Sequence, residues 1–171
     1  MKKMHDDKGF TLIELLIVVA IIGIIAAIAV PGLLRARMSG NEASAIGSMR
    51  AINSAQASYS AAAGNGGYAV LLATLATACP GGTQAFISPD LSADPSTKSG
   101  FTVSVASAAA GAGPNDCNGT ATETDYYAEA EPVNFGSTGN RSFNTAAAGT
   151  IYAVSANAIA AADMVAANAI Q

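Results

Sequence analysis

Residues 9–31 read GFTLIELLIVVAIIGIIAAIAVP, and this stretch decides the fold of the chain. Between Phe10 and Val30 the only charged residue is Glu14. The 21 residues from Phe10 to Val30 extend about 31 Å as an α-helix at a rise of 1.5 Å per residue, close to the hydrocarbon thickness of a bilayer. The stretch therefore predicts a helix that can span a membrane.

Such a helix is either the core of a removed signal peptide or a retained anchor. The core of a signal peptide is shorter and is followed by a cleavage site of small residues. Here the apolar run continues to Val30 and meets Pro31, which favours retention. Three lysines precede the span, and Arg35 and Arg37 follow it, so the basic residues favour a cytoplasmic N-terminus by a margin of one.

The composition of the whole chain excludes several classes of function. Of its 171 residues, 51% are hydrophobic and only 12% are charged, and the formal net charge is −4. Nucleic-acid binding needs clustered lysine and arginine, so it is not predicted. There is one histidine, His5, and no nucleophile with a base, metal cluster or phosphate loop is evident. We therefore predict neither an enzyme nor a protein with a cofactor.

Beyond the span, residues 32–63 are predicted to form an amphipathic helix. Apolar residues recur there at steps of three and four, which places them on one helix face. They are Met38, Ala45, Ile46, Met49, Ile52, Ala55 and Tyr59. The polar residues Glu42, Ser48, Arg50 and Asn53 are expected to lie mostly away from this face. Glycines and an asparagine at 64–67 favour left-handed conformations and are expected to end the helix.

Residues 64–171 are predicted to form a small β-rich domain. The sequence 101–105 alternates apolar and hydroxyl side chains, as a half-buried strand does. A second strand is predicted at 125–131, and a hairpin at 141–145 and 150–154. Three or four antiparallel strands result, and the apolar face of the helix is the expected cover for their apolar side. The alanine-rich tail 156–171 is expected to form a short helix or to fray.

The start of the apolar stretch carries a specific resemblance. Residues 9–16, with the apolar run to Pro31, resemble the N-terminal signature of type IV pilins and of the related type II secretion pseudopilins. In that family a prepilin peptidase cuts after the glycine and the new N-terminal phenylalanine is methylated on its amine. Carried over, the resemblance makes Gly9 and Phe10 the cleavage and methylation site and Glu14 the assembly glutamate.

The resemblance also implies an architecture and a set of partners. The fold is expected to be α+β and pilin-like, with the long N-terminal helix packed on a small antiparallel sheet. The predicted segments are a leader at 1–9, a transmembrane and filament-core helix at 10–31, an amphipathic helix at 32–63 and a globular domain at 64–171. The implied partners are copies of the chain in a helical filament, the peptidase and methyltransferase, an assembly ATPase and an inner-membrane platform.

The localisation follows from the same resemblance. The precursor is expected to cross the inner membrane once, with its C-terminal domain outside the cytoplasm, and then to enter an extracellular or periplasmic filament. Two other functions remain open on the residues alone: a pseudopilin of a type II secretion system, and a monomeric binding domain held by a membrane anchor. The second alternative needs neither cleavage nor Glu14.

The remaining candidate residues have structural interpretations. Gly23 and Pro31 are predicted to mark a weak stretch of the helix, because proline removes one amide donor and clashes with the carbonyl four residues back. Cys79 and Cys117 are predicted to form a disulfide if the domain is exported. The three carboxylates that share one face of the strand at 125–131 are low-ranking candidates for Ca²⁺ and are more typical of a solvated acidic face. They are Asp125, Glu129 and Glu131.

Overall fold

The computed structural model of the chain describes residues 9–165 and 168–170. The chain divides into two units, one ending at Ala36 and one beginning at Arg37. We call the described part of the first, residues 9–36, the N-terminal unit, and residues 37–170 the C-terminal domain. Residues 1–8 of the predicted leader lie outside the described residues.

The longest element is helix α1, Leu12–Ala62, which continues through Pro31. In the N-terminal unit every described residue is exposed. The helix ends as the sequence predicts, because Asn65 and Gly66 both have positive φ, 51° and 95°. A side chain at Gly64 has no room, since a Cβ there would lie 2.3 Å from the Gly67 carbonyl oxygen. The glycines at 64 and 66 thus turn the chain sharply out of the helix.

The C-terminal domain contains a six-stranded antiparallel sheet in the order β1-β2-β5-β6-β7-β8 and a separate two-stranded ribbon, β3-β4. The strands are β1 Ser96–Lys98, β2 Phe101–Ser107, β3 Ala112–Asn115, β4 Ala121–Glu123, β5 Tyr126–Pro132, β6 Ser142–Ala146, β7 Ile151–Val154 and β8 Ala169–Ile170. A short helix, α2 Leu72–Leu75, and two 3₁₀ turns, Pro89–Leu91 and Ala161–Asp163, lie in the connections.

The core forms between the second half of α1 and one face of the sheet, which confirms the predicted α+β arrangement. From α1 the buried apolar residues include Met49, Ile52 and Tyr59, none more than 1% exposed. From β2 they include Phe101 and Val103, both fully buried. The two sets belong to one hydrophobic cluster. The helical period of the first set and the two-residue period of the second are the patterns that packing a helix on a sheet requires.

Two of the polar residues that were expected to lie away from the packed face of α1 are buried. Glu42 is 9% exposed and Ser48 is 2% exposed. Glu42 accepts hydrogen bonds from the Asn140 N–H at 2.8 Å and from Arg141 Nε at 2.9 Å, and it forms an ion pair with Arg141 Nη2 at 2.8 Å. The Ser48 hydroxyl donates to the carbonyl of Ser44. Both buried side chains are therefore paired, as burial of polar groups requires.

The sheet is also larger than predicted. The expectation of three or four strands missed β1 and β8, which pair at the two edges of the sheet, and the β3-β4 ribbon. The tail was expected to form a helix or to fray. Instead, its described part forms the 3₁₀ turn Ala161–Asp163 and then strand β8. These segments are short and rich in small or polar residues, so they lack the alternation that marks a half-buried strand.

Candidate functional site

The N-terminus of α1 presents the Gly9–Phe10 peptide bond without cover from the described part of the chain. The Phe10 side chain is 85% exposed. No heavy atom outside the neighbouring residues lies within 4 Å of where a Cβ on Gly9 would stand. Among the described residues nothing covers this bond, and its acyl side carries glycine, the residue with the least steric bulk.

Glu14 caps the helix that contains it. The backbone N–H of Thr11 donates to Glu14 Oε2 at 2.9 Å, and the Thr11 hydroxyl donates to the same oxygen at 2.5 Å. In return, the Glu14 N–H donates to the Thr11 hydroxyl oxygen at 3.3 Å. Thr11 precedes the first helical residue, so the pair forms a capping box, in which the side chains at the N-cap and at N3 satisfy each other's backbone donors. Both Thr11 donors reach Oε2, and Oε1 takes no part in these bonds.

The apolar surface that follows Glu14 is too large for an isolated soluble helix. It contains one 18-residue window of mean hydropathy 3.1, and none of that window is buried in the chain. By length and composition α1 can cross a membrane, and it is the one such helix among the described residues. Its side chains between residues 12 and 34 include Leu, Ile and Val that are each 49% exposed or more. An apolar surface of this kind requires lipid or other protein around it.

Gly23 and Pro31 lie within continuous helix in this unassembled chain. No atom lies within 4 Å of where a Cβ on Gly23 would stand, so its lack of a side chain is not explained by a contact within the chain. Pro31 leaves the Ala27 carbonyl without its usual i+4 amide donor. Their role as a weak stretch remains a prediction.

Cys79 and Cys117 form a disulfide. Beside it, Asp116 is 6% exposed and accepts hydrogen bonds from the Tyr59 hydroxyl at 2.8 Å and from the N–H groups of Asn118 and Thr120. Burial opposes ionisation of Asp116, but these donors outweigh it and lower the pKa of its carboxyl. Burial and the neighbouring Asp116 raise the pKa of Tyr59. The Asp116 carboxylate thus fixes the 116–120 loop to α1 through Tyr59, and the disulfide joins the same loop to the segment around Cys79.

The candidate calcium ligands each have a protein partner. Asp125 accepts from the N–H groups of Tyr126 and Ala147, Glu129 from the Ser104 hydroxyl and Glu131 from the Ile159 N–H. No group of three or more histidine, cysteine, aspartate or glutamate side chains that could hold a metal ion occurs among residues 9–165 and 168–170. The carboxylates therefore serve the hydrogen bonding of the sheet and its connections.

The N-terminal sequence is similar to a known motif family. Residues 4–30 match the family described as "Prokaryotic N-terminal methylation motif". The type IV wide pilus major component PilA4 of Thermus thermophilus is 62% identical over 39 residues, which are 23% of this chain and 30% of that protein. The type IV major pilin protein PilA of Myxococcus xanthus is 47% identical over 53 residues, 31% of this chain and 24% of that protein.

A further relative is the type IV major alpha-pilin of Moraxella bovis, 75% identical over 28 residues that make up 16% of this chain and 18% of that protein. No solved structure gave a significant match. A long N-terminal apolar helix whose second half packs on an antiparallel sheet gives the chain a pilin-like α+β arrangement.

By this motif and these matches the chain is similar to proteins named as type IV pilins. The chain spans a third or less of the length of the first relatives, and the family match covers residues 4–30.

Sequence reasoning predicts Gly9, Phe10 and Glu14 as site residues, but it did not single out Thr11, the hydrogen-bond partner of Glu14. Thr11 was read only as part of the motif, and the structure shows that it caps α1 together with Glu14. The signal was present in the sequence, because a threonine followed three positions later by a glutamate at the start of an apolar run is the pattern of a capping box.

Proposed function

We propose that the chain is a structural subunit that polymerises into a type IV pilus filament after cleavage between Gly9 and Phe10 and methylation of the Phe10 amine. The observation that carries this proposal is the combination of an exposed Gly9–Phe10 bond with a helix whose apolar surface is not buried within the chain. The matches to proteins named as pilins support it. No enzymatic activity is proposed.

The first stage of the proposed pathway takes place in the inner membrane. The apolar half of α1 anchors the precursor there, with the C-terminal domain outside the cytoplasm. A prepilin peptidase that also methylates removes residues 1–9, and the chain that remains carries five basic and ten acidic residues. An assembly ATPase and a membrane platform then move the subunit into an extracellular filament. The relatives' names favour this filament over a secretion pseudopilus or a monomeric anchored domain.

When α1 leaves the lipid, Glu14 is proposed to form an interaction with a neighbouring subunit in addition to the helix cap. Its side chain is exposed in the isolated chain, and a carboxylate enclosed among packed helices requires a cation or strong donors. The proposed cation is the Phe10 amine of a neighbouring subunit. Residues 11–34 contain no lysine or arginine that could take this role. Glu14 Oε1, which takes no part in the cap, can accept from that amine while Oε2 keeps Thr11.

The filament core would be held by packing of the exposed leucine, isoleucine, valine and alanine side chains of α1. Helices associate in this way when close packing replaces lipid contacts. The stretch from Gly23 to Pro31 is the place where the helix can yield most easily during assembly, because one of its backbone hydrogen bonds is already missing. The C-terminal domains would then form the outer surface.

The proposal is tested by exchanging Glu14 in the native host. Glu14→Gln keeps an acceptor for the Thr11 N–H but removes the charge, so we expect the protein to remain in the membrane and the filaments to be lost. Thr11→Ser keeps a capping hydroxyl and is expected to assemble. Glu123→Gln, the same exchange at a carboxylate of the C-terminal domain, is the matched control and is expected to assemble as well.

Electron micrographs of sheared surface material and immunoblots of membrane fractions give the two readouts. Filaments in normal number from Glu14→Gln would show that the glutamate acts only as a cap, and they would contradict the charge pairing. Normal filaments from a chain that retains residues 1–9 would contradict the proposal as a whole.

A further inference from the structure

The face of the sheet opposite α1 is partly covered by residues 156–163, which we call the C-terminal strap. The Ser142 hydroxyl donates to the carbonyl of Ala156 at 2.7 Å, and the Tyr127 hydroxyl donates to the carbonyl of Ile159 at 2.9 Å. The Ile159 side chain is 5% exposed, although the strap contains no regular element except one 3₁₀ turn. The strap contributes to the burial of Ser142 and Asn144 of β6, whose side chains donate to its carbonyls.

One buried atom beneath the strap lacks a partner. The Asn144 side chain is fully buried, and its Nδ2 donates to the Ala160 carbonyl at 2.9 Å and to the Tyr127 hydroxyl oxygen at 3.2 Å. Its Oδ1 accepts no hydrogen bond. Among the described residues it is the single buried side-chain nitrogen or oxygen in this state. A buried acceptor without a hydrogen-bond donor lowers the stability of the fold. The site under the strap therefore lacks one donor, for Asn144 Oδ1.

Two side chains flank Asn144 on this face, Tyr152 of β7 and Glu129 of β5. The pair that concerns the missing donor is Asn144 and Glu129. The two are direct partners in the register of β5 and β6, and cross-strand partners on one face have Cβ atoms about 5 Å apart. As a carboxylate Glu129 can only accept hydrogen bonds, whereas as a carboxylic acid it offers one O–H donor. Burial raises the pKa of Glu129, and the charges of Glu131 and Asp94 raise it further, whereas the hydrogen bond that the Ser104 hydroxyl donates lowers it.

We propose that the C-terminal strap is a proton-dependent latch, in which a proton on Glu129 supplies the donor that the buried Asn144 Oδ1 lacks and so holds the strap more tightly. The proton comes from solvent and passes to no other group. This inference is independent of filament assembly, because it concerns the C-terminal domain alone.

The groups around Glu129 are compatible with this role. On its own strand are Tyr127 and Glu131, whose Oε1 accepts from the strap at the Ile159 N–H. The hydroxyl of Ser104, on β2, donates to Glu129 at 3.0 Å. The carboxylate of Asp94, which precedes β1, adds negative charge near Glu129. The titratable residue of the strap is Asp163, whose carboxylate accepts from the Ala160 N–H. This set contains no cation that would stabilise the charged form of Glu129.

The direction of the pH effect follows from the raised pKa. A group whose pKa is higher in the folded than in the unfolded state contributes stability that is present below its unfolded pKa, 4.5 for glutamate, and that is lost as the pH rises through the folded pKa. The strap is therefore expected to be most protected at acidic pH and to loosen toward neutral pH. One neutral hydrogen bond corresponds to roughly a fivefold change in the opening equilibrium.

The experiment measures hydrogen exchange of the Asn144 side-chain carboxamide by NMR, with the mature chain in detergent micelles. Rates are divided by the intrinsic rate at the same pH. For the wild type we expect protection to fall roughly fivefold between about pH 4 and about pH 7. Glu129→Gln carries an amide donor at every pH, so its protection is expected to stay flat. Glu123→Gln is the matched control, because Glu123 accepts from the Ser107 hydroxyl as Glu129 does from Ser104, and it is expected to follow the wild type.

Three results would overturn the latch. They are protection in the wild type that does not change with pH, a Glu129→Gln variant with the pH dependence of the wild type, and protection at about pH 7 that rises on adding Ca²⁺ to the wild type. The last result would show that a metal ion rather than a proton completes the site.

Discussion

The same substitution is expected to destabilise the C-terminal domain when it is made in the second half of α1 and to have no effect on it when it is made in the first half. Ile52 is fully buried in the core, whereas Ile24 is 64% exposed. Ile52→Ala removes three buried carbons, worth about 2.4 kcal/mol at 0.8 kcal/mol each, and the cavity that remains adds about 1 kcal/mol. We therefore expect the free energy of unfolding to fall by about 3.5 kcal/mol and the Tm by roughly 12 °C.

Ile24→Ala is the matched control and is expected to leave the unfolding of the C-terminal domain unchanged. The assay is thermal and guanidinium unfolding of the full chain in a mild detergent, followed by near-UV circular dichroism. The chain has no tryptophan, and all five tyrosines lie between residues 59 and 152, so the signal reports on the C-terminal domain. Equal losses for the two variants, or a loss below about 1 kcal/mol for Ile52→Ala, would refute the assignment of the core.

Three further changes test particular contacts by the same unfolding assay. Glu42→Ala leaves the Asn140 N–H without its acceptor and is expected to cost about 2 kcal/mol; an unchanged midpoint would rule out the buried pairing. Replacing Cys79 and Cys117 together by serine opens a loop of 38 residues and is expected to cost about 4 kcal/mol. The pKa of Asp116 is lowered in the folded state, so the wild type should lose stability as the pH falls from its unfolded value of 3.8. Asp116→Asn should lack that loss, and a retained acid transition of equal size would contradict the assignment.

The parts of the fold that the sequence predicted are those with a strong local pattern. The apolar run at 10–30, the helical spacing of Met49, Ile52 and Tyr59 and the alternation at 101–105 each appear in the structure as expected. In each case a single element buries or exposes one face, so the pattern is visible without knowledge of its partner.

The features that were missed depend on distant partners. Glu42 looked like a residue of the solvent face because the groups that pair with it, at Asn140 and Arg141, lie 98 and 99 residues away in the chain. Strands β1 and β8 are only three and two residues long. They form by pairing with the free edges of the neighbouring strands. A segment of two or three residues is too short to show the alternation of apolar and polar side chains that predicts a strand. The role of Thr11 could have been predicted, since its capping pattern is local.

The disulfide and the carboxylates illustrate the same distinction at the level of sites. The two cysteines have few possible partners, so their pairing could be predicted from their number alone. The three carboxylates at 125–131 share a face, but the donors at Ser104, Ala147 and Ile159 that occupy them come from other elements. Only the folded structure shows that these donors are within reach.

The central claim is that the N-terminus at Phe10 is produced by cleavage after Gly9 and takes part in filament assembly. The most direct measurement is the intact mass and N-terminal residue of the protein isolated from its host. The proposed function predicts a chain that begins at Phe10 and carries one additional methyl group on its amine. A filament-associated chain that retains residues 1–9 would contradict it.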